Sequence, residues 1–240
     1  KYEAQPLPSI LKEDLFKTID IIQTSFQPII IAGGGIKNTQ GHKEVISLAK
    51  LLNIPIVSSA GHGDAIPFDE DLYAGQMGPR GNLVASKLVK EADVILALGT
   101  RLGFNSTFYS YENINEKASI IQVEIEPSAL GRYFPITIGI CADAKTFAKE
   151  LYKQLTIKKE IHKIEKWTEN FIKEKKEYLK KRDQEAEINK SPIQPSGIFK
   201  ILRETIPQNS LITLDAGTLC LQATDMLNYY KPPCLFTPLD

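Results

Sequence analysis

The chain has 240 residues, 42% of them hydrophobic, and 29 basic side chains against 29 acidic ones, for a formal net charge of zero. Such a composition can build the core of one large domain or one and a half, and it offers no field to attract nucleic acid or an anionic membrane. The apolar stretches fall far short of the roughly 18 residues a spanning helix needs, no secretory pattern stands at the start, and Cys141, Cys220 and Cys234 lie far apart with no CxxC pair; a cytoplasmic, reducing setting without structural zinc is expected.

After the Pro-rich KYEAQPLPS, the helical spacing of Leu11, Leu15, Ile19 and Ile22 predicts a helix from near Ser9. The run PIIIAGGGI follows, a buried strand over Ile29–Ala32 that ends in Gly33, Gly34 and Gly35. A helix over Gly41–Leu52 and a strand over Ile54–Ser58 come next, so strand, glycine turn and helix form the first half of a βαβ unit. Such a turn lets a phosphate approach backbone N–H groups, or simply turns the chain tightly; GGGI is not the spaced G-x-G-x-x-G pattern. Beyond a loop rich in Gly, His and Asp, the pattern predicts a helix over Asn82–Glu91 and strands at Asp93–Leu98, Ser119–Glu124 and Ile136–Cys141. A helix over Ala144–Leu155, with Asp143 as a candidate N-cap, closes the unit. Short, almost wholly apolar strands are buried on both faces, which predicts an α/β, doubly wound parallel sheet with right-handed crossovers.

From Ile157 to Asn189 the composition turns to Lys and Glu, with Ile157, Ile161, Ile164, Thr168 and Phe171 along one helical face and Trp167 beside it. SPIQPSG breaks that helix. A new unit starts with a helix over Gly197–Thr205, a strand over Ser210–Leu214, the turn Asp215–Ala216–Gly217–Thr218 and a helix near Leu219–Tyr229. Only one strand of a second sheet is predicted there, and a single strand cannot bury both faces, so the residues from about 191 read as part of something larger.

LALGTRLG places Gly99, Thr100 and Arg101 just past the end of a strand, where open α/β sheets bind ligands. Arg101 can hold a phosphate or pair with a surface carboxylate. Glu124 and Glu126 end the next strand, where a carboxylate accepts ribose hydroxyls or caps the turn begun by Pro127; Asp143 has the same two readings. His42, His62 and His162 share no ligand spacing, and only His62, in SAGHGDAIP, lies in a loop facing the expected cleft. With no G-x-S-x-G elbow, no Walker A run and no evident acid/base pair of carboxylates, the chain reads as a binding scaffold without its reaction centre.

In order, PIIIAGGGI, GQMGPRGN, LALGTRLG, IIQVEIEPSALGR, GICADA and SPIQPSGIFKIL…LITLDAGT resemble the thiamine diphosphate-dependent enzymes of the acetolactate synthase type. GTRLGFNSTF and GICADAK resemble the sulfoacetaldehyde acetyltransferase-like branch. The resemblance implies a central domain with a six-stranded parallel sheet over residues 1–155, a charged helical linker over 156–190 and an incomplete start of the diphosphate-binding domain over 191–240. It implies a lyase or transferase acting on small 2-oxo acids or related carbonyl compounds, homodimeric or tetrameric when complete, with thiamine diphosphate and Mg²⁺. The activating glutamate would lie before Lys1 and the metal motif after Asp240, so a fragment or one chain of a split enzyme is expected, with no turnover of its own. Gly33, Gly34, Gly35, Gly78, Pro79, Arg80, Gly81, Arg101, Glu124, Glu126 and Asp143 resemble the segments that contact FAD or ADP in that family, and Gly217 and Thr218 those that touch the diphosphate. Arg80 replaces a usual His and LGFNSTF a charged run, so the adenosine side is matched better than the flavin side. The alternative is a non-catalytic nucleotide-binding module (NAD, ADP or FAD) with a Rossmann-like sheet.

Overall fold

The computed structural model describes residues 8–158 and 161–238. The first unit runs α1 (Lys12–Gln23), β1 (Pro28–Ala32), α2 (Gly34–Asn38), α3 (His42–Leu52), β2 (Ile56–Ser58), β3 (Tyr73–Gln76), α4 (Leu83–Glu91), β4 (Val94–Leu98), α5 (Phe104–Thr107), β5 (Ser119–Glu124), β6 (Ile138–Cys141) and α6 (Ala144–Ile157). A long helix α7 (Glu165–Gln184) follows, and then α8 (Pro195–Thr205), β7 (Ile212–Thr213), α9 (Thr218–Met226) and β8 (Leu235–Phe236). None of the described helices is long and apolar enough to cross a membrane.

β1 to β6 form one six-stranded parallel sheet in the order β3-β2-β1-β4-β5-β6, the doubly wound arrangement whose direction of winding reverses between β1 and β4. The central strands are apolar throughout because each residue finds a covered face. Ile30, Ala32, Leu96, Leu98, Ile121 and Val123 pack on one side with Ile19, Leu48 and Phe147 of α1, α3 and α6. Ile29, Ile31, Ile95, Ala97 and Ile120 turn to the other side, against Leu88 and Val89 of α4 and Phe171 of α7. This alternation with period two inside unbroken hydrophobic runs is what a sheet covered on both faces requires.

Several sequence-based expectations change. β3 was not among the predicted strands, although the resemblance implied six. Gly34 and Gly35 open a short helix, α2, instead of lying wholly in a turn. The first helix starts at Lys12, with Leu11 exposed before it. The charged segment is not one helix from Ile157 to Asn189: α6 reaches Ile157 and α7 occupies Glu165–Gln184, with Ile161 and Ile164 ahead of it. The second sheet has two strands, because β8 pairs in parallel with β7, Ile212 facing Leu235 and Thr213 facing Phe236.

The C-terminal unit has its own small core of Phe199, Ala223, Leu227, Tyr229 and Leu235. It is fastened to α7 by charge. Arg182 of α7 donates to the Asp225 carbonyl at 3.1 Å, and Arg203 of α8 reaches Asp183 of α7 at 2.6 Å while donating to the Met226 carbonyl at 2.6 Å. Two nearly buried cations thereby satisfy the open carbonyls at the negative end of α9.

Candidate functional site

Where the winding reverses, the turns after β1 and β4 meet backbone to backbone. Gly33 N–H donates to the Leu98 carbonyl at 2.9 Å and Gly35 N–H to the Gly99 carbonyl at 3.0 Å. A Cβ on Gly33 would stand 2.3 Å from the Gly99 oxygen, one on Gly35 2.7 Å from the Gly99 Cα, and one on Gly34 2.3 Å from His62 Nε2. Gly99 itself has φ +62°, the left-handed region that glycine enters freely. The glycines are therefore there for close approach of two turns, and two of the three N–H groups expected for a phosphate are already used.

Beside this contact opens a cleft of about 550 Å³ at the carboxyl ends of the strands. Of the residues singled out in the sequence, Gly34, Gly35, Arg101 and Glu124 line it. Glu124 is buried. Burial pushes its carboxyl above the usual range, opposed by the backbone N–H groups of Glu126 and Ile125 and by the Arg101 charge. His62 also lines the cleft, with Nδ1 3.0 Å from the Ala60 carbonyl. The loops are held from below by buried amides and a hydroxyl. Gln122 donates to the Thr100 carbonyl at 3.0 Å and accepts from Gly131 N–H at 2.8 Å. Ser106 Oγ accepts from Ala60 N–H at 2.9 Å and Gln76 from Gly61 N–H at 3.0 Å.

One wall was missed by the sequence reading. Phe104, Tyr109 and Tyr133 line the cleft, and Tyr109 stacks on Tyr133 with centroids 4.4 Å apart while Phe104 stacks on Phe108 at 4.9 Å. Arg80 lies 5.3 Å from the Phe108 centroid at one end of this ladder and Arg132 lies 5.4 Å from that of Tyr133 at the other. The signal was the density of aromatic residues in GFNSTFYSY, directly after a strand end.

Other predicted residues sit elsewhere. Glu126 accepts from Ser128 N–H at 3.2 Å and caps the 3-10 turn begun by Pro127. Asp143 accepts from Thr146 N–H at 2.8 Å and from its hydroxyl at 2.6 Å, capping α6. Both take the capping reading, and neither lines the cleft. Asp143→Ala is accordingly expected to lower stability by about 1 kcal/mol in urea unfolding while leaving ligand binding in the cleft unchanged. Gly78, at φ +116°, packs behind α5, where its Cβ would meet the Asn105 carbonyl at 2.9 Å. Pro79 and Arg80 are exposed beside it, and Gly81 N–H donates back to the Gly78 carbonyl at 2.9 Å.

Gly217 and Thr218 lie apart from the cleft, at the carboxyl end of β7 where α9 begins. Among the described residues, Gly217 (φ +155°) has no atom within 4 Å of where a Cβ would stand, and no side chain caps the first N–H groups of α9. Thr218 is exposed at the same place. An open glycine, uncapped N–H donors and a hydroxyl at the positive end of a helix fit an anionic group such as a diphosphate.

The description "Thiamine pyrophosphate enzyme, central domain" matches residues 15–151. A sulfoacetaldehyde acetyltransferase from Castellaniella defragrans is 29% identical over 231 residues, 88% of this chain and 39% of that protein. A probable acetolactate synthase large subunit from Methanococcus aeolicus is 30% identical over 214 residues, 84% of this chain and 35% of that protein. A probable sulfoacetaldehyde acetyltransferase from Rhizobium meliloti is 38% identical over 130 residues, 53% of this chain and 22% of that protein. The chain thus spans well under half the length of these relatives. It belongs to the thiamine pyrophosphate enzyme family, and residues 15–151 are its central domain.

Proposed function

We propose that the chain is an internal segment of a thiamine diphosphate-dependent lyase or transferase that moves an acyl or aldehyde unit from a 2-oxo acid or related carbonyl compound to an acceptor. In this reading residues 1–155 are the central domain, 156–190 the linker and 191–240 the start of the unit that grips the diphosphate. The complete enzyme is a cytoplasmic homodimer or tetramer that also uses Mg²⁺. The observation that carries the reading is the open, uncapped turn at Gly217–Thr218 docked on a central domain of this family. When bound, thiamine diphosphate supplies the electron sink for carbon–carbon bond cleavage. Gly217 would admit the diphosphate close to the backbone, and the Thr218 hydroxyl and the α9 N–H groups would donate to its oxygens. Titrating thiamine diphosphate with Mg²⁺ into the full-length polypeptide by calorimetry tests this: saturable binding supports it, and no heat at millimolar cofactor overturns it.

The lining of the cleft favours a second reading, in which it takes an adenine nucleotide, ADP or the ADP half of FAD. The half-exposed rings of Phe104 and Tyr109 would offer a base a stacking face, Glu124 would accept ribose hydroxyls, and Arg101 would meet a phosphate; all four line the cleft. Binding to the ionised Glu124 must compete with its raised pKa. Affinity for ADP is therefore expected to fall as pH drops through that raised value, a window that opens above the ordinary 4.5. Glu124→Gln is expected to flatten the pH profile measured by calorimetry. Binding of NAD with no response to ADP or FAD would favour the non-catalytic nucleotide module instead.

A further inference from the structure

β8 has two strand edges, and among the described residues only one of them meets another strand. On that edge Ile212 N–H donates to the Cys234 carbonyl at 2.7 Å and Leu214 N–H to the Phe236 carbonyl at 2.8 Å. The other edge meets two side chains of the central domain. Asp64, fully buried, accepts from Cys234 N–H at 2.8 Å and from Leu235 N–H at 2.9 Å through one carboxylate oxygen. Lys37, also buried, donates to the Leu235 carbonyl at 2.5 Å. The second Asp64 oxygen faces the Lys37 ammonium at 3.2 Å and makes no other hydrogen bond. The ion pair therefore stands where a third strand would stand. A sheet of two strands is marginal by itself, and besides the small core under Leu235 this pair is what meets the free edge of β8.

β7 leads directly into the open turn at Gly217–Thr218. On the opposite side, Lys37 is the fourth residue of α2, whose first residues line the cleft, and Asp64 is two residues beyond His62, which lines it too. We infer that Lys37 and Asp64 are positioning residues: a bracket by which the central domain holds β8, and through β8 and β7 sets the Gly217–Thr218 turn for an anionic ligand. The diphosphate half of this inference rests on the proposed function; the bracket itself does not.

Hydrogen exchange of the full-length polypeptide, without cofactor, reads the bracket first. Lys37→Met leaves the inner Asp64 oxygen bare, and is expected to speed exchange about tenfold or more across residues 211–218 and 233–237 while peptides of β1 and β4 keep the wild-type rate. Lys37→Arg, which keeps the charge, is expected to restore most of the protection. The affinity for thiamine diphosphate with Mg²⁺ is then expected to fall about tenfold in the Met variant and to recover in the Arg variant. Exchange that rises equally in β1 and β4 would mean general loss of stability and would overturn the bracket, as would exchange unchanged in both regions. A bracket seen by exchange with an unchanged cofactor affinity would overturn the positioning role. A wild-type protein that binds no thiamine diphosphate would overturn the proposed function, with the exchange pattern still deciding the bracket.

Discussion

Gly33→Ala is expected to cost roughly 3 kcal/mol of unfolding free energy, at the upper end of what overpacking usually costs, whereas Gly103→Ala is expected to stay within about 0.5 kcal/mol of the wild type. Both exchange a glycine for alanine in turns that follow strands of the same sheet, so the difference lies in what each Cβ meets. At residue 33 it meets the Gly99 carbonyl oxygen at 2.3 Å and Thr100 Cβ at 2.6 Å; at residue 103 nothing stands within 4 Å. The obstacle at Gly33 cannot swing aside as a flexible side chain could. Gly99 is held at positive φ by its own hydrogen bond to the Val123 carbonyl at 2.9 Å and by that of Gly35 N–H to its carbonyl. Urea unfolding midpoints of the two variants measure the contrast directly. Equal midpoints would show that the two turns are not pressed together.

Gln122→Leu is expected to lose about 3 kcal/mol and also to weaken ADP binding in the cleft about tenfold. Gln122 lies in the middle of β5 and is 2% exposed. Its amide joins two separate loops, donating to the Thr100 carbonyl beside Arg101 and accepting from Gly131 N–H. Leucine keeps the bulk but strands both partners, and each buried polar group left unpaired costs about 1–3 kcal/mol. The functional loss follows because Thr100 and Arg101 are neighbours on the cleft wall. Urea unfolding and ADP calorimetry on the same variant test both halves; an unchanged midpoint would mean that the loops are held by other contacts.

The sequence made the central strands legible because their physics is local. Residues Pro28–Ala32, Val94–Leu98 and most of Ser119–Glu124 are buried without interruption, and an unbroken apolar run between turn signals has few other uses. Asp143 was open to two readings in the sequence, a helix cap or a ribose contact, and it caps α6. β3 escaped because YAGQ has only four residues, one of them glycine, and no hydrophobic run. Its place is set by pairing with β2 and by buried bonds such as that of Tyr73 to Ser58 at 2.8 Å. α2 escaped because two glycines at its start are poor helix formers, and only the approach of Gly99 and His62 explains them. β8 is two residues long and exists through β7, Asp64 and Lys37, which come from three distant parts of the chain. In the cleft, the strand-end residues Arg101 and Glu124 were legible from topology. The aromatic wall was not, because a cluster of rings after a strand reads equally well as core until the fold leaves Phe104 and Tyr109 half exposed.

If this chain is part of a thiamine diphosphate-dependent enzyme acting on small carbonyl compounds, as proposed, the full-length polypeptide turns such compounds over. The assay follows consumption of sulfoacetaldehyde, the compound in the names of two of the relatives described, and of simple 2-oxo acids, with and without thiamine diphosphate and Mg²⁺. Consumption of at least one of these compounds that requires the cofactor is expected, and none by residues 1–240 alone. Cofactor-independent consumption, or none with the cofactor bound, would contradict the proposal.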